Sequence, residues 1–139
     1  MQILPMKVTY KPRDLQNFCI IKILKASFPA LMSGQFNPFF HPNWYEMLRN
    51  TFIDLELCYE GGESSNAAIK RALSVITDVR KNGDNNVVIA THGNLMSLLL
   101  MQFDNKQFGF EEWDALSNPD VYHLYFDGTS PTIRRIWMG

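Results

Sequence analysis

The clearest pattern in the chain is a helical repeat of apolar residues in its second half. Apolar side chains recur three or four positions apart from Ala68 to Val79, and Ser64 or Ser65 can cap a helix that begins just before them. The repeat predicts an amphipathic helix that ends near Lys81, because a polar, glycine-containing turn follows.

A predicted strand runs directly into a second predicted helix. The run from Val87 to Ala90 is apolar and mostly β-branched, which is typical of a strand covered on both faces of a parallel sheet. The stretch from Leu95 to Phe103 is apolar almost all round, so it predicts a buried helix. Weaker patterns predict a short helix over Phe110–Leu116 and strands over Val121–Phe126 and Thr132–Trp137.

The first fifty residues are less regular, because they contain five of the seven prolines. The segment from Phe18 to Leu24 predicts a buried strand, and the segment from Gly34 to Asn43 is typical of a loop. A short helix is predicted over Trp44–Phe52, with Asn43 as its N-cap. The order of helices and strands in the second half indicates an α/β layered domain.

Length and composition indicate one globular domain. The chain has 139 residues, of which 46% are hydrophobic and 19% are charged. A net charge of -1 argues against a dedicated nucleic-acid binder and gives no polybasic membrane anchor. No apolar run reaches the roughly 18 residues that cross a bilayer, and no secretory signal pattern is visible. Cys19 and Cys58 suit a reducing compartment, so we expect a cytoplasmic protein.

The strongest candidate for chemistry is the segment His92-Gly93-Asn94, which directly follows the predicted strand. Open α/β sheets bind ligands at the carboxyl ends of their strands, and the start of the next helix presents unpaired N–H groups there. A phosphate or carboxylate fits such a position, with His92 as a donor of a hydrogen bond or a proton. The alternative is that His92 only helps to satisfy the start of the helix.

Other candidates are weaker. Glu63 lies in a glycine turn before a helix. Its negative charge either interacts favourably with the helix dipole or serves as a functional carboxylate. His41 belongs to a predicted loop and His123 to a predicted strand. The three histidines have no ligand spacing, so we expect no metal site. Nucleotide-binding glycine loops and the G-x-S-x-G motif are missing from the sequence, and we expect no cofactor.

The ordered motifs of the second half resemble the phosphoglycerate mutase-like histidine phosphatase family. The likeness covers Asp54 to Trp137, so we expect one domain with a divergent front (1–53) and a family-like back (54–139). The resemblance implies a three-layer α/β/α fold with a mostly parallel central sheet, here truncated at its N-terminus. The residues that carry it are Gly61-Gly62-Glu63-Ser64, Arg71, Val87 to Asn94, Phe110 to Trp113, and Leu116 to Tyr122.

The resemblance implies transfer of a phosphoryl group through a phosphohistidine, without a metal. In that family the nucleophile belongs to an Arg-His-Gly motif at the end of the first strand, and a later His-Gly motif supplies a second histidine that contacts the phosphoryl group. His92 matches this second histidine, and the 139 residues contain no Arg-His-Gly. His92 is therefore the catalytic candidate. We expect it to bind phosphate together with Gly93 and Asn94 at the helix start, and Glu63 and His41 are secondary candidates.

Three functions stay open at this point. The first is a family member with little or no activity that binds a phosphomonoester or a protein, and the second is an active phosphatase with an unrecognised nucleophile. Apart from these functions, the sequence leaves open that a longer chain carries the missing motif. A non-enzymatic interaction domain is the third function, with an aromatic front made of Phe36, Phe39, Phe40, Trp44 and Tyr45. In the family, the first strand lies beside the strand that carries the His-Gly motif. We therefore expect this place in the sheet to be filled either by the front half of the chain or by a strand of a second copy, which would make the protein a homodimer.

Overall fold

The computed structural model describes residues 41–83 and 86–137 in full, together with the backbone of two earlier strands. None of the helices in these described parts is long and apolar enough to cross a membrane. In chain order the elements are β1 (Met6–Lys7), β2 (Gln16–Leu24), α1 (Trp44–Ile53), α2 (Ser65–Lys81), β3 (Asn86–His92), α3 (Gly93–Phe103), α4 (Phe110–Asp114), β4 (Asp120–Phe126) and β5 (Pro131–Arg135).

The described strands form one sheet in the order β1-β3-β2-β4-β5. Strands β2 and β3 run parallel, whereas β1 is antiparallel to β3, and β4 is antiparallel to both β2 and β5. The mixture of helices and strands confirms an α/β protein. The predicted mostly parallel sheet is not confirmed, because among the described strands only one pairing is parallel. The short connection between β4 and β5 forms a hairpin, which requires antiparallel strands.

Strand β2 lies directly beside the His-Gly strand β3. The pairing begins with Asn17 opposite Asn86 and ends with Leu24 opposite His92, with one irregularity after Lys22. Of the two arrangements expected from the sequence, the front half of the chain therefore supplies a neighbour of the His-Gly strand. The predicted strand from Phe18 is confirmed, and it begins slightly earlier.

Helix α2 begins and ends as its sequence predicts. Ser64 has an extended backbone, and its side chain accepts a hydrogen bond of 3.2 Å from the backbone N–H of Ala67. Arg80 and Lys81 lie in the last turn, where positive charge stabilises the helix by interacting with its dipole. The turn that follows contains Gly83 at φ 72°, a conformation that favours glycine.

The N-cap residue of α1 is Asn43, as predicted, but it does not cap the helix with its side chain. Its backbone lies at φ -105° and ψ 22°, outside the extended region from which a cap side chain reaches the helix. Instead, the backbone N–H of Asn43 donates to Nδ1 of His41 at 3.2 Å.

The main core lies between α2, α3 and one face of the sheet. Burial alternates along β3 and β4, so every second residue faces the helices. Helix α3 is buried at every position from Gly93 to Leu100, as predicted for an apolar helix. A second cluster joins the four helices through Leu48, Phe52, Ile69, Leu98 and Phe110.

Helix α4 and strand β5 both end two residues earlier than their sequences predict. Helix α4 ends at Asp114 rather than Leu116, and β5 ends at Arg135 rather than Trp137, which is partly exposed. The predicted loop before residue 41 falls in the part of the chain that the structure does not describe. The same holds for the aromatic residues Phe36, Phe39 and Phe40.

An ion pair between a buried aspartate and a partly exposed arginine holds the start of β4 to β5. Asp120 is fully buried, and its carboxylate accepts hydrogen bonds from the backbone N–H groups of Ser117 and Val121 at 3.0 and 2.9 Å. Arg135 donates to both carboxylate oxygens, at 2.9 and 2.6 Å. The hydrogen bond to Asp120 raises the pKa of Arg135. Since Lys22 pairs with both Thr91 and Asp120, this ion pair lies near the edge where β3 ends.

We expect Asp120→Asn to lower the free energy of unfolding by about 2–3 kcal/mol, because it removes the charge that a buried network of donors requires. Urea unfolding followed by tryptophan fluorescence measures the change. The matched control is Glu111→Gln, which removes an exposed carboxylate 3.5 Å from Arg49. That variant should lose less than about 1 kcal/mol. Equal losses of unfolding free energy in the two variants would show that the Asp120–Arg135 pair stabilises the fold no more than the exposed Glu111–Arg49 pair does.

Candidate functional site

The candidate site lies where β3 passes directly into α3. The carboxyl ends of the parallel strands β2 and β3 meet here, with Leu24 opposite His92. His92 is both the last residue of β3 and the N-cap residue of α3, at φ -82° and ψ 152°. Because Gly93 and Asn94 form the first turn of this 11-residue helix, their N–H groups have no partner within the helix.

The side chain of His92 makes no capping hydrogen bond to α3. The alternative interpretation, in which this histidine only satisfies the start of the helix, is therefore not supported. The imidazole belongs to the face of β3 opposite the helices, because burial alternates along the strand and Thr91 is the residue that faces them.

Three buried polar atoms lie within four consecutive residues at this junction. They are Oγ1 of Thr91, Nδ1 of His92 and Oδ1 of Asn94, and none has a hydrogen-bond partner in the structure as described. The residues Thr91 and Asn94 are only 8% and 9% exposed. A buried polar atom without a partner costs about 1–3 kcal/mol, so such atoms concentrate where a ligand or water completes the structure.

The three atoms do not share one pocket. Thr91 lines a gap of about 10 Å³ whose other walls are apolar side chains of α2, β3 and α3. Asn94 lines a separate cavity of about 50 Å³. The cavity lies between the end of α1, the first turns of α2 and α3, and the loop that precedes α2.

This cavity brings together the two motifs that the sequence analysis treated separately. Glu63 and Ser64 line it from the α2 side, and Asn94 lines it from the α3 side. The carboxylate of Glu63 accepts a hydrogen bond from Nη2 of Arg71 at 2.5 Å. Sequence analysis did not predict this ion pair. Helical spacing gives no signal for it, because Glu63 lies before the N-cap residue Ser64 and eight residues from Arg71.

The two remaining histidines occupy other positions. His41 lies in the turn before α1, where Nδ1 accepts from the backbone of Asn43 and the carbonyl accepts from Trp44 at 3.1 Å. His123 lies in β4 opposite Arg134 of β5, on the face of the sheet away from α2 and α3. Among the residues that the structure describes, no group of three or more histidine, cysteine or carboxylate side chains could hold a metal ion.

The described aromatic residues of the front half pack within the chain. Tyr45 donates a hydrogen bond of 2.9 Å to Asp114, and its ring meets that of Phe110 edge to face at 5.1 Å. The hydrogen bond to Asp114 raises the pKa of Tyr45. Trp44 packs against the second core cluster. These contacts join α1 to α4, so these two residues give no specific support to an interaction surface.

A family model described as the histidine phosphatase superfamily (branch 1) matches residues 40–138. This match covers well over half of the chain, which therefore belongs to that superfamily. The matched region includes α1, so it begins within the segment that we expected to be divergent. Neither the curated proteins nor the solved structures contain a match.

We expect Thr91→Val to leave the free energy of unfolding unchanged or to raise it by about 1 kcal/mol, because valine keeps the shape of the side chain and removes an unpaired hydroxyl. The matched control is Thr51→Val, since Oγ1 of Thr51 donates to the carbonyl of Leu48 at 2.7 Å. The control should lose about 1 kcal/mol. Urea unfolding measures the free energy of unfolding of both variants. A clear decrease in Thr91→Val would mean that the hydroxyl of Thr91 has a hydrogen-bond partner.

Proposed function

We propose that this chain is a phosphate-binding member of the histidine phosphatase superfamily that turns over phosphomonoesters weakly or not at all. The observation that carries the proposal is the position of His92, at the carboxyl end of a parallel strand and the N-cap of α3, with a buried Nδ1 that lacks a partner in the described structure. In the superfamily pattern this histidine contacts the transferred phosphoryl group.

The junction suits an anion for a general reason. The start of a helix carries partial positive charge and unpaired N–H groups, so it attracts phosphate. Gly93, the first residue of α3, has no side chain to keep an anion away from its backbone. Together, His92, Gly93 and Asn94 supply a ring nitrogen and two backbone donors, and they are the residues to which we assign phosphate binding.

The sequence of the parallel strand beside His92 supports weak turnover. The superfamily pattern places its nucleophilic histidine at the end of a strand that neighbours the His-Gly strand. In this chain the parallel neighbour β2 ends at Leu24 and the sequence continues Lys25-Ala26-Ser27. This segment contains neither a histidine nor a carboxylate. Loss of a covalent nucleophile reduces the rate by several orders of magnitude, while anion binding by the other groups persists.

The proposal extends to the whole domain. We propose the three-layer arrangement of the family for this domain. We also propose a cytoplasmic location, where a reducing environment suits the exposed free thiol of Cys58. A homodimer is compatible with the described strands, because β1 and β5 lie at the two edges of the sheet that these strands form.

The test of the proposal combines phosphate binding with hydrolysis. We expect inorganic phosphate to shift the backbone amide resonances of Gly93 and Asn94 in a ¹H–¹⁵N spectrum. His92→Ala should weaken this binding by about tenfold, the typical value of one charge-assisted hydrogen bond. The matched control His123→Ala should leave it unchanged, since His123 lies within β4 rather than at the junction. Hydrolysis of an aryl phosphate should stay near the uncatalysed rate.

Two results would contradict the proposal in different ways. Phosphate binding that is unaffected by His92→Ala would mean that the anion site lies elsewhere. A clear hydrolysis rate that His92→Ala abolishes would mean that the chain is an active phosphatase with an unrecognised nucleophile. His41→Ala would then be the next variant to measure, because His41 is the other candidate from the sequence.

A further inference from the structure

Large apolar side chains are exposed at two separate places in the described part of the chain. Ile53 is 75% exposed, and the neighbours Ile136 and Trp137 are 46% and 39% exposed. Tyr45 is exposed as well, but its hydroxyl is bonded to Asp114. Exposed apolar patches with a polar rim are typical of protein–protein interaction sites, so the charges around the two places indicate what binds there.

The first place is a depression of about 570 Å³ between the ends of α1 and α3, which we call the acidic surface. The apolar side chains that line it are Phe52, Ile53, Leu55, Met101 and Phe103. Its carboxylates belong to Asp104, which lines the depression, and to Asp54, which is exposed and directly follows Ile53. The acidic surface thus combines an apolar wall with acidic side chains.

Negative charge is in excess at the acidic surface. The carboxyl end of a helix carries partial negative charge, and neither α1 nor α3 has a basic residue in its last turn. Among the described lining residues, Lys106 is the one base, and it is opposed by Asp104, Asp54 and the two helix ends. A complementary partner therefore brings apolar side chains together with positive charge.

The second place has this complementary composition. We call it the basic surface, and it consists of Arg134, Arg135, Ile136 and Trp137 at the end of strand β5. Arg134 is exposed and forms no ion pair with any residue that the structure describes, and the side chain of Arg135 stays 41% exposed beside Asp120. The backbone N–H of Ile136 donates to the carbonyl of Val121 at 2.9 Å, which holds this surface against the sheet.

The two surfaces lie at opposite ends of the domain. The basic surface lies beside the start of β4, because Arg135 is bonded to Asp120. The acidic surface lies at the other end of this strand, because the ring of Phe103 meets that of Phe126 edge to face at 5.7 Å. A strand of seven residues spans about 20 Å. The two surfaces of one copy therefore cannot bind each other, whereas those of two copies can.

We propose that the acidic surface of one copy of this chain binds the basic surface of a second copy. Ile136 and Trp137 of the second copy enter the depression and cover Ile53, while its Arg134 faces the carboxylates. The volume suffices for both side chains, since pockets of about 300–1,000 Å³ hold drug-sized ligands. The contact joins two different surfaces, so it links copies head to tail. It does not involve His92 and is independent of the proposed function.

Sedimentation velocity of the full chain from about 10 to 500 µM tests the proposal, because a small contact of this kind has a Kd of about 0.1 mM. The expected result is a sedimentation coefficient that rises with concentration and rises less in 0.5 M NaCl, which screens the charges. Ile53→Lys and Arg134→Glu should each weaken association about tenfold or more. Ile53→Lys keeps the fold, because the site is exposed and a positive charge suits a helix end.

Matched controls and a mixture of variants identify the surfaces. Thr77→Lys and Lys70→Glu make the corresponding charge changes at exposed positions of α2 and should leave association unchanged. Each weakened variant keeps one intact surface, so an equimolar mixture of Ile53→Lys and Arg134→Glu should form a dimer and nothing larger. Circular dichroism verifies the fold of each variant.

Three results would overturn the proposal. A wild-type chain that stays monomeric at 500 µM, about five times the expected Kd, has no such contact. Association that persists in both variants takes place elsewhere, for example through the edges of the sheet. A loss in only one variant, or a mixture that stays monomeric, would show that the two surfaces do not bind each other.

Discussion

The direct passage from β3 into α3, without a connecting loop, is the constraint on which the site depends. His92 belongs to both elements, so its backbone must be extended for the sheet while its neighbours begin a helix. The apolar sequences on both sides enforce this junction, because β3 pairs with strands on both sides and α3 is buried along most of its length. Polar residues at such a junction cannot move to water without unpacking the core, and three of their atoms remain unpaired in the described structure.

The rest of the described structure supports this junction from two directions. On one side, the capped start of α2 and the Glu63–Arg71 pair place a loop against the first turn of α3, which encloses the cavity. On the other side, β2 brings Leu24 beside His92, and the buried Asp120 fixes the start of β4 near the same edge. These contacts hold the proposed site in place, and the neighbouring strand β2 contains no histidine.

The local elements could be predicted from the sequence because their signals are local. The helical repeat after Ser64 and the apolar run into His92 predicted α2, β3 and α3, and the same run located the candidate site. Asn43 occupies the N-cap position of α1 as predicted, but its side chain makes no capping hydrogen bond, since the residue type alone does not determine whether the backbone of Asn43 is extended.

Features that depend on packing between distant segments could not be predicted. The sheet order and the pairing of β2 with β3 join residues about seventy positions apart, and no periodicity encodes such a register. The meeting of Glu63 with Asn94 in one cavity likewise depends on how α2 packs against α3. The ion pair of Glu63 with Arg71 joins the loop before α2 to a residue about two turns into the helix, and helical spacing does not encode that contact.

The central claim is that the β3–α3 junction is an anion site, and a crystal structure of the protein soaked with tungstate tests it most directly. Tungstate has the tetrahedral shape of phosphate, and its heavy atom gives an unambiguous position. The account predicts tungstate within hydrogen-bond distance of the backbone N–H groups of Gly93 and Asn94 and of the ring of His92. The contradictory result is a junction without tungstate, in which Nδ1 of His92 and Oδ1 of Asn94 are paired with groups of the chain itself.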